Sequence, residues 1–207
     1  MFKPITRIIK IKGDWTEVLN DCRFTVGKPD LQKEPSERLK KQAIISEHSP
    51  IRDIIFKWEW LDIPHFSIVH WVRHKWEKYV KTDRSDRTGI DRHTLPQDHE
   101  SSMRGEANVQ HLIDSMRKRL CFQASMETRE EANSLKCEIS KVDKIIADGL
   151  VPNCIYRCGC PEDSKCKFFQ EFASGLTVEE LLDIQTRYDK YNEEFYKFNE
   201  IYLTQIN

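Results

Sequence analysis

Basic side chains are concentrated between residues 73 and 92, where seven Lys or Arg residues stand against four acidic ones. The seven are Arg73, Lys75, Lys78, Lys81, Arg84, Arg87 and Arg92. Clustered guanidinium groups bind phosphate through paired hydrogen bonds, so the segment predicts an anion site. On a continuous helix, Arg73, Arg84 and Arg87 share one face. The alternative is a solvated helical face on which ion pairs such as Glu77 with Lys81 neutralise the charge.

A second set of polar residues recurs at helical spacing further along the chain. Asn108, Arg119 and Arg129 are separated by about three helical turns each. This spacing is compatible with one functional face that spans two helices. It is equally compatible with ordinary exposed basic residues, so spacing alone leaves both interpretations open.

Four of the seven cysteines lie close together, at Cys154, Cys158, Cys160 and Cys166. Four thiolates in so short a segment, with Gly159 and Pro161 allowing tight turns, could close a tetrahedral zinc site. The spacing matches neither the paired Cys-x2-Cys knuckle nor a common ferredoxin pattern. Free or disulfide-prone thiols are therefore the alternative, and a redox role is a third.

The composition of the 207-residue chain restricts the class of partner. Lys plus Arg number 33 against 34 Asp plus Glu, so no global field attracts nucleic acid or an anionic membrane. No apolar run reaches the ~18 residues that a membrane span requires. The first ten residues interleave basic and apolar side chains, which is typical of a strand and not of a signal peptide. The odd cysteine count favours a reducing compartment, and we expect a cytoplasmic protein.

The elements that must position these residues form a helix-rich α+β fold. Alternating apolar residues predict strands over residues 4–12 and 51–61. Helices are predicted over 14–22 and 36–45, and from Pro64 through Glu77. Residues 88–106 have few apolar side chains and are predicted to form an irregular loop. Further helices are predicted over 108–121 and 125–147.

The C-terminal part of the chain is predicted to be a helical appendage. Thr177 and Glu180 form a capping box, and aromatic residues at helical spacing continue from there to Tyr202. We expect this aromatic seam to pack against the core or against the same helix of a neighbouring subunit. The predicted division is a main domain over residues 1–152 and an appendage over 153–207.

Several short motifs, in order, resemble the flavin-dependent thymidylate synthase family. Residues 47–50 (Glu-His-Ser-Pro), a strand and residues 72–75 (Val-Arg-His-Lys) are similar to its entry motif, strand and Arg-His-Arg signature. Residues 92–96 (Arg-x-x-Leu-Pro) are similar to its Arg-x-x-Leu-Pro motif, and Asn108 and Arg119 follow at family spacing. Residues 22–25 and the 124–129 stretch add weaker matches. The resemblance covers residues 5–152.

This resemblance implies a small antiparallel sheet among helices and a homotetramer whose active sites draw residues from several subunits. It implies FAD as cofactor, dUMP as small-molecule substrate, and NADPH and methylenetetrahydrofolate as co-substrates. The implied reaction transfers a one-carbon unit to C5 of dUMP with hydride from reduced FAD. No protein nucleophile is implied, since the cofactor carries the chemistry and the protein positions the reactants.

Catalytic and substrate-binding roles follow from the resemblance, residue by residue. Arg73 would lie between nucleotide and flavin, and Arg119 would bind dUMP and stabilise developing negative charge; these two are the catalytic candidates. Arg92 would bind the nucleotide, and His70 would lie near it. Arg84 and Arg87 are candidates to replace a substrate-binding loop that this chain lacks. The flavin-binding candidates are Thr25, His48, Ser49, Arg73, His74, Lys75 and Asn108.

Three functional hypotheses follow. The first is thymidylate synthesis, or a related deoxyuridylate C5 modification such as hydroxymethylation. The second is a diverged relative that binds nucleotide or flavin without turnover. Two departures from the family pattern favour it: Lys75 replaces the second Arg of the signature, and the segment that family members usually place between the signature and Arg-x-x-Leu-Pro is absent. The third is nucleic-acid binding through the cysteine and basic segments, which the near-neutral charge disfavours.

Overall fold

The computed structural model describes residues 3–204; the ends of both predicted domains, residues 1–2 and 205–207, lie outside it. One antiparallel sheet has the strand order β1–β2–β4–β3. Its strands are β1 (Ile5–Lys12), β2 (Ile55–Pro64), β3 (Glu77–Val80) and β4 (Glu100–Asn108). The remaining regular structure is mainly helical, which confirms the helix-rich α+β expectation.

Most of the described residues outside the sheet are helical. The helices are α1 (Trp15–Phe24), α2 (Glu37–Ile45), α3 (His65–Trp71), α4 (Ser85–Thr88), α5 (Val109–Arg119), α6 (Met126–Val142), α7 (Lys144–Asp148), α8 (Asn153–Tyr156), α9 (Phe168–Ser174), α10 (Val178–Leu182), α11 (Ile184–Phe198) and α12 (Glu200–Leu203). Two short 3-10 turns, Ser49–Asp53 and Arg92–Thr94, complete the order. The 3-10 turn at Ser49–Asp53 occupies the beginning of the strand that was predicted from residue 51, so the strand itself begins at Ile55.

Four tryptophans form the centre of the core beside the sheet. Alternation along β2 buries Trp58 and Trp60 on one face, because successive strand side chains point to opposite sides. Trp71 from α3 lies 4.6 Å from Trp60, and Trp76 lies 4.9 Å from Trp58, between ring centroids. The cluster therefore fixes both ends of the 72–75 turn against the sheet.

Gly105 of β4 faces this cluster, and the packing there requires a residue without a side chain. A Cβ at this position would lie 2.3 Å from Cζ2 of Trp58 and 2.7 Å from Cζ3 of Trp76. We expect Gly105→Ala to lower the free energy of unfolding by about 1–3 kcal/mol, because two buried rings must shift. Urea denaturation followed by tryptophan fluorescence measures the change. Gly159→Ala is the control, since nothing lies within 4 Å of its added Cβ; equal losses in both variants would contradict the packing argument.

The predicted helix from Pro64 through Glu77 is wrong beyond α3. The helix ends at Trp71, and Glu77 instead begins β3, which pairs with β4. Burial of Trp76 in the tryptophan cluster turns the chain out of the helix, so tertiary packing overrides the helical pattern. Arg73, Arg84 and Arg87 consequently do not share the face of one helix.

The loop predicted over residues 88–106 is also wrong in its second half, where β4 lies next to β2 and β3. The buried positions of this strand include Ser101, Gly105 and Ala107, together with Met103. Because most of these buried positions carry small or polar residues, the sequence lacks the apolar–polar alternation that would have predicted a strand.

The C-terminal helix predicted from Thr177 to Tyr202 is divided into α10, α11 and α12. The capping box of Thr177 and Glu180 is present, but Asp183 ends α10 and caps α11 by accepting a hydrogen bond from the Thr186 amide at 2.7 Å. The predicted helix over 125–147 likewise breaks at Asp143, which caps α7. An aspartate at an N-cap competes with helix continuation through its side chain.

The aromatic seam of α11 packs against the chain's own core. Tyr191 and Phe195 are buried there with the ammonium group of Lys136 from α6, which lies 4.8 and 4.4 Å from their ring centroids. Lys136 Nζ also donates to the Leu150 carbonyl at 2.7 Å and to Asn192 Oδ1 at 2.5 Å. The division into domains at residue 152 stays a prediction.

Candidate functional site

The turn after α3 and the last turn of α5 meet at a group that we call the arginine–histidine cluster: His70, Arg73, His74 and Arg119. Arg119 Nε donates to His74 Nε2 at 2.8 Å, and Arg119 Nη2 donates to the His70 carbonyl at 2.6 Å. The guanidinium carbon lies 6.0 Å from the centroid of Trp71. Two of three guanidinium nitrogens are thus fixed, and Nη1 has no hydrogen bond to the described chain.

Local sequence explains why these side chains converge. Asn108 caps α5 by accepting from the His111 amide at 2.9 Å, so Arg119 falls in the last helical turn. Cations are favoured there by the helix dipole. The turn at residues 72–75 is held by Lys78 Nζ, which donates to the carbonyls of His74 and Trp76. The role of Lys78 was missed, because it depends on a turn where the sequence predicts a helix.

The arginine–histidine cluster carries excess positive charge. Burial, followed by the charges of Arg119 and Lys78, lowers the pKa of His74 to about 4, so the ring is neutral and its Nε2 accepts. Burial, followed by the charge of Arg73, lowers the pKa of Arg119. Burial, followed by the charges of Arg119 and Arg73, lowers the pKa of His70. Among residues 3–204, neither the Arg73 nor the Arg119 guanidinium group forms an ion pair.

Arg84, Arg87 and Arg92 lie apart from this cluster in an exposed segment, residues 81–99, that we call the arginine loop. Arg84 forms a two-pronged contact with Asp86, at 3.0 and 2.8 Å, and Arg87 lies 3.8 Å from the same carboxylate. Asp86 therefore offsets part of their charge. Arg92 begins the second 3-10 turn, and its amide donates to Ser85 Oγ at 3.1 Å.

The predicted flavin-binding residues fall into separate places. His48 and Ser49 are exposed at the first 3-10 turn, which is joined to the start of α5 by the Val109 amide donating to the Ile54 carbonyl at 3.0 Å. Asn108 lies at the same junction. Arg119 is at the opposite end of α5, roughly 16 Å along the helix axis. One chain therefore presents two groups of candidate residues.

The remaining two flavin candidates differ in their availability. The Thr25 hydroxyl donates to the Cys22 carbonyl at 2.8 Å, where it closes α1. Lys75 is exposed in the turn beside Arg73 and His74. Lys75 is thus close to the arginine–histidine cluster along the chain, whereas Thr25 belongs to the end of another helix.

The cysteine segment adopts a different grouping from the predicted one. Cys154, Cys160 and Cys166 line a cavity of about 240 Å³ together with Cys121 from the end of α5. Cys158 points elsewhere and donates from Sγ to the Leu181 carbonyl at 3.4 Å. Burial, followed by the neighbouring Cys121 and Cys160, raises the pKa of Cys154 to about 12. Zinc binding by Cys154, Cys158, Cys160 and Cys166 stays a prediction.

The sheet and its helices form a fold similar to that of flavin-dependent thymidylate synthases. Thymidylate synthase X of Helicobacter pylori, solved with FAD and dUMP, matches 71% of this chain and 99% of its own, with a TM-score of 0.58 and 11% identity. The UMP/dUMP methylase PolB of Streptomyces cacaoi, solved with 5-Br dUMP, matches 71% of this chain and 94% of its own, with a TM-score of 0.58 and 13% identity.

Sequence comparisons give no such likeness. No protein-family model matches the chain, and no curated protein matches it either. The likeness to these enzymes is thus one of fold alone. Within residues 3–204, no helix combines the length and the apolar character that crossing a bilayer requires.

Proposed function

We propose that the protein is a flavin-dependent thymidylate synthase-like enzyme that acts on dUMP. The observation that carries this proposal is the pairing of Arg119 with a neutral His74 beside Arg73. These residues occupy the positions at which the resemblance implies nucleotide and flavin binding. Structures with the same fold hold dUMP or a brominated dUMP, which supports the same substrate class here.

The residues fit an anionic ligand. Arg119 keeps one guanidinium nitrogen available, and Arg73 is exposed and unpaired among the described residues. Two guanidinium groups so close together raise each other's electrostatic energy, and a phosphate or a pyrimidine oxygen lowers it by charge-assisted hydrogen bonds. In the proposed reaction, Arg119 stabilises negative charge on the pyrimidine as C5 becomes nucleophilic.

His74 acts as an orienting acceptor in this proposal. Because the ring is neutral, Nε2 accepts from Arg119 and holds the guanidinium in one orientation. FAD, when bound, would supply the hydride for C5 modification, with methylenetetrahydrofolate as one-carbon donor and NADPH as reductant. Arg73, His74 and Lys75 would bind and orient the flavin from the turn.

The two groups at opposite ends of α5 suit a site assembled between subunits. The flavin-binding candidates near Asn108 of one chain would meet the arginine–histidine cluster of another in a homotetramer. A cytoplasmic location stays a prediction from the cysteine content of the sequence. Zinc, if present in the cysteine segment, would have a structural role outside this site.

A diverged relative that binds nucleotide without turnover is the second candidate. The pairing of Arg84 and Arg87 with Asp86 favours it, since these arginines are the candidates for replacing a missing substrate loop. Hydroxymethylation of the same pyrimidine carbon is a further variant of the first candidate. Turnover of dUMP with analysis of the product separates these possibilities.

The experiment that tests the proposal is a visible absorbance titration of the purified full chain. We expect added FAD to bind and its absorbance bands to shift when dUMP is added, because the base stacks against the flavin. Turnover with methylenetetrahydrofolate and NADPH would then identify the enzyme. A dUMP-dependent shift without turnover would favour the binding relative, and a protein that binds no FAD would overturn the flavin chemistry.

A further inference from the structure

Two histidines and an aspartate converge where the arginine loop joins α3. Asp83 Oδ2 lies 3.1 Å from His65 Nδ1 and 3.0 Å from His99 Nε2. The imidazole rings are stacked, with centroids 4.7 Å apart and 20° between their planes. Within residues 3–204, this is the one group of three or more His, Cys, Asp or Glu residues whose ligand atoms all lie within 4.8 Å of one another.

Two ring nitrogens of the group face the Asp83 carboxylate. His99 Nδ1 lies 2.7 Å from the Pro96 carbonyl, which only accepts, so this nitrogen carries a hydrogen. His99 Nε2 lies 3.0 Å from Asp83 Oδ2; it donates there when the ring is protonated and offers a lone pair when the ring is neutral. His65 Nδ1 is buried and has no aligned hydrogen bond, although the carboxylate is near. Two ring nitrogens and a carboxylate oxygen that face one another favour a cation between them.

A proton fills this requirement only in part. Protonation of His99 satisfies its contact with Asp83 but leaves His65 Nδ1 without an aligned partner. A metal ion at the centre would satisfy all three ligand atoms at once. The carbonyl behind His99 supplies the outer contact that typically orients a metal-binding imidazole.

We propose that His65, Asp83 and His99 bind a divalent cation of the zinc class. Two imidazole nitrogens and one carboxylate oxygen are ligands that zinc accepts, with water in the fourth position. The three side chains are 39%, 24% and 16% exposed, respectively, so an ion and a water can reach the site. The site is separate from the cysteine segment in sequence and in its ligands.

The position of the site gives the ion a structural role. His65 is the first residue of α3, and Asp83 and His99 lie near the two ends of the arginine loop. The loop is already joined to α3 by the amides of His65 and Phe66, which donate to the carbonyls of His99 and Gln97 at 3.0 and 3.1 Å. A bound ion would close the loop at both ends. Its effect on Arg84, Arg87 and Arg92 rests on the proposed function, whereas metal binding itself does not.

The test is a zinc titration of the full chain after removal of metal with a chelator, with no flavin or nucleotide present. We expect the wild type to bind one equivalent of Zn²⁺ more than Asp83→Asn, or to bind it at least tenfold more tightly. Zinc held by cysteines contributes equally to both proteins, so the difference reports on this site. Asp86→Asn is the matched control, because its exposed carboxylate belongs to the same loop but lies outside the group.

A second variant and a second measurement guard against misfolding of the first. His65→Gln should lose the same equivalent, and Zn²⁺ should slow proteolysis of residues 81–99 in the wild type but in neither ligand variant. Equal zinc stoichiometry and affinity in the wild type, Asp83→Asn and His65→Gln would overturn the proposal. The group would then be a proton-bridged contact. Either result leaves the flavin and dUMP titration unaffected as a separate test of function.

Discussion

Replacing Arg119 by alanine should weaken dUMP binding by roughly 10- to 100-fold, the effect of losing a charged hydrogen-bond donor. Arg119 is held by His74 and by the His70 carbonyl, so its remaining nitrogen is already oriented before a ligand arrives. Little side-chain entropy is then lost on binding. The dUMP-dependent change in flavin absorbance, titrated in the wild type and the variant, measures the loss.

Lys118→Ala is the matched control for this variant. Lys118 is the preceding residue of α5, its side chain is 59% exposed, and its ion pair with Glu162 spans 3.8 Å. Removing it takes one positive charge from the same helix end without touching the cluster. Similar losses in both variants would show that only the overall charge matters, and an unchanged affinity in Arg119→Ala would remove Arg119 from the proposed site.

A separate readout tests the contact between Arg119 and His74. The charge of Arg119 is a cause, second to burial, of the low pKa of His74. Arg119→Ala should therefore raise the pKa of His74 above about 4, toward the ordinary histidine value. Titration of the ring by NMR measures this pKa. A pKa that does not move would show that the two side chains do not interact in solution.

The sequence predicted the fold class and several elements correctly, because strong local signals mark them. Alternation predicted β1, and the caps at Ser36 and Asn108 fall at the starts of α2 and α5. The resemblance gave His74 a flavin-binding role and Arg119 a substrate-binding role, but it did not predict the hydrogen bond between them. The two residues are 45 positions apart, and no local sequence pattern joins them.

The errors arise where tertiary packing decides the local conformation. Trp76 leaves the predicted helix because its ring fills the core beside Trp58. Residues 100–108 form a strand although their buried positions carry Ser, Gly and Ala. The His65, Asp83 and His99 group was not predicted, since its members are 18 and 16 residues apart and belong to no local motif. Such long-range contacts produce no periodic pattern of residue types in a single sequence.

Glu131 of α6 anchors the helix that leads into the arginine–histidine cluster. It is fully buried; its Oε1 lies 2.5 Å from Ser67 Oγ, and Trp71 Nε1 donates to its Oε2 at 2.5 Å. Ser67 Oγ also lies 2.8 Å from the Pro64 carbonyl. The single hydroxyl hydrogen cannot serve both oxygens. A protonated Glu131 resolves this, because it donates to Ser67 while Ser67 donates to Pro64.

The pKa of Glu131 agrees with this arrangement, since burial raises it from 4.5 to about 7 against the opposing hydrogen bonds of Ser67 and Trp71. Between these two values the folded state holds a proton that the unfolded state has lost. The contribution of Glu131 to stability is therefore fully present below pH 4.5 and is lost as the pH rises through about 7. The loss amounts to about 3 kcal/mol when complete.

Glu131→Gln should abolish this pH dependence and stabilise the protein above pH 7. Glutamine is neutral at every pH, and its amide donates to Ser67 while its oxygen accepts from Trp71, as the protonated carboxyl does. We expect the variant to lie within about 1 kcal/mol of the wild type near pH 5 and to exceed its free energy of unfolding by about 2–3 kcal/mol at pH 8.5. Glu131→Ala, which loses both contacts, should be destabilised by about 2–4 kcal/mol at pH 5. Urea unfolding at both pH values measures these differences. A Gln variant less stable than the wild type at pH 8.5 would show that the ionised carboxylate, and not the protonated acid, holds α3 in place.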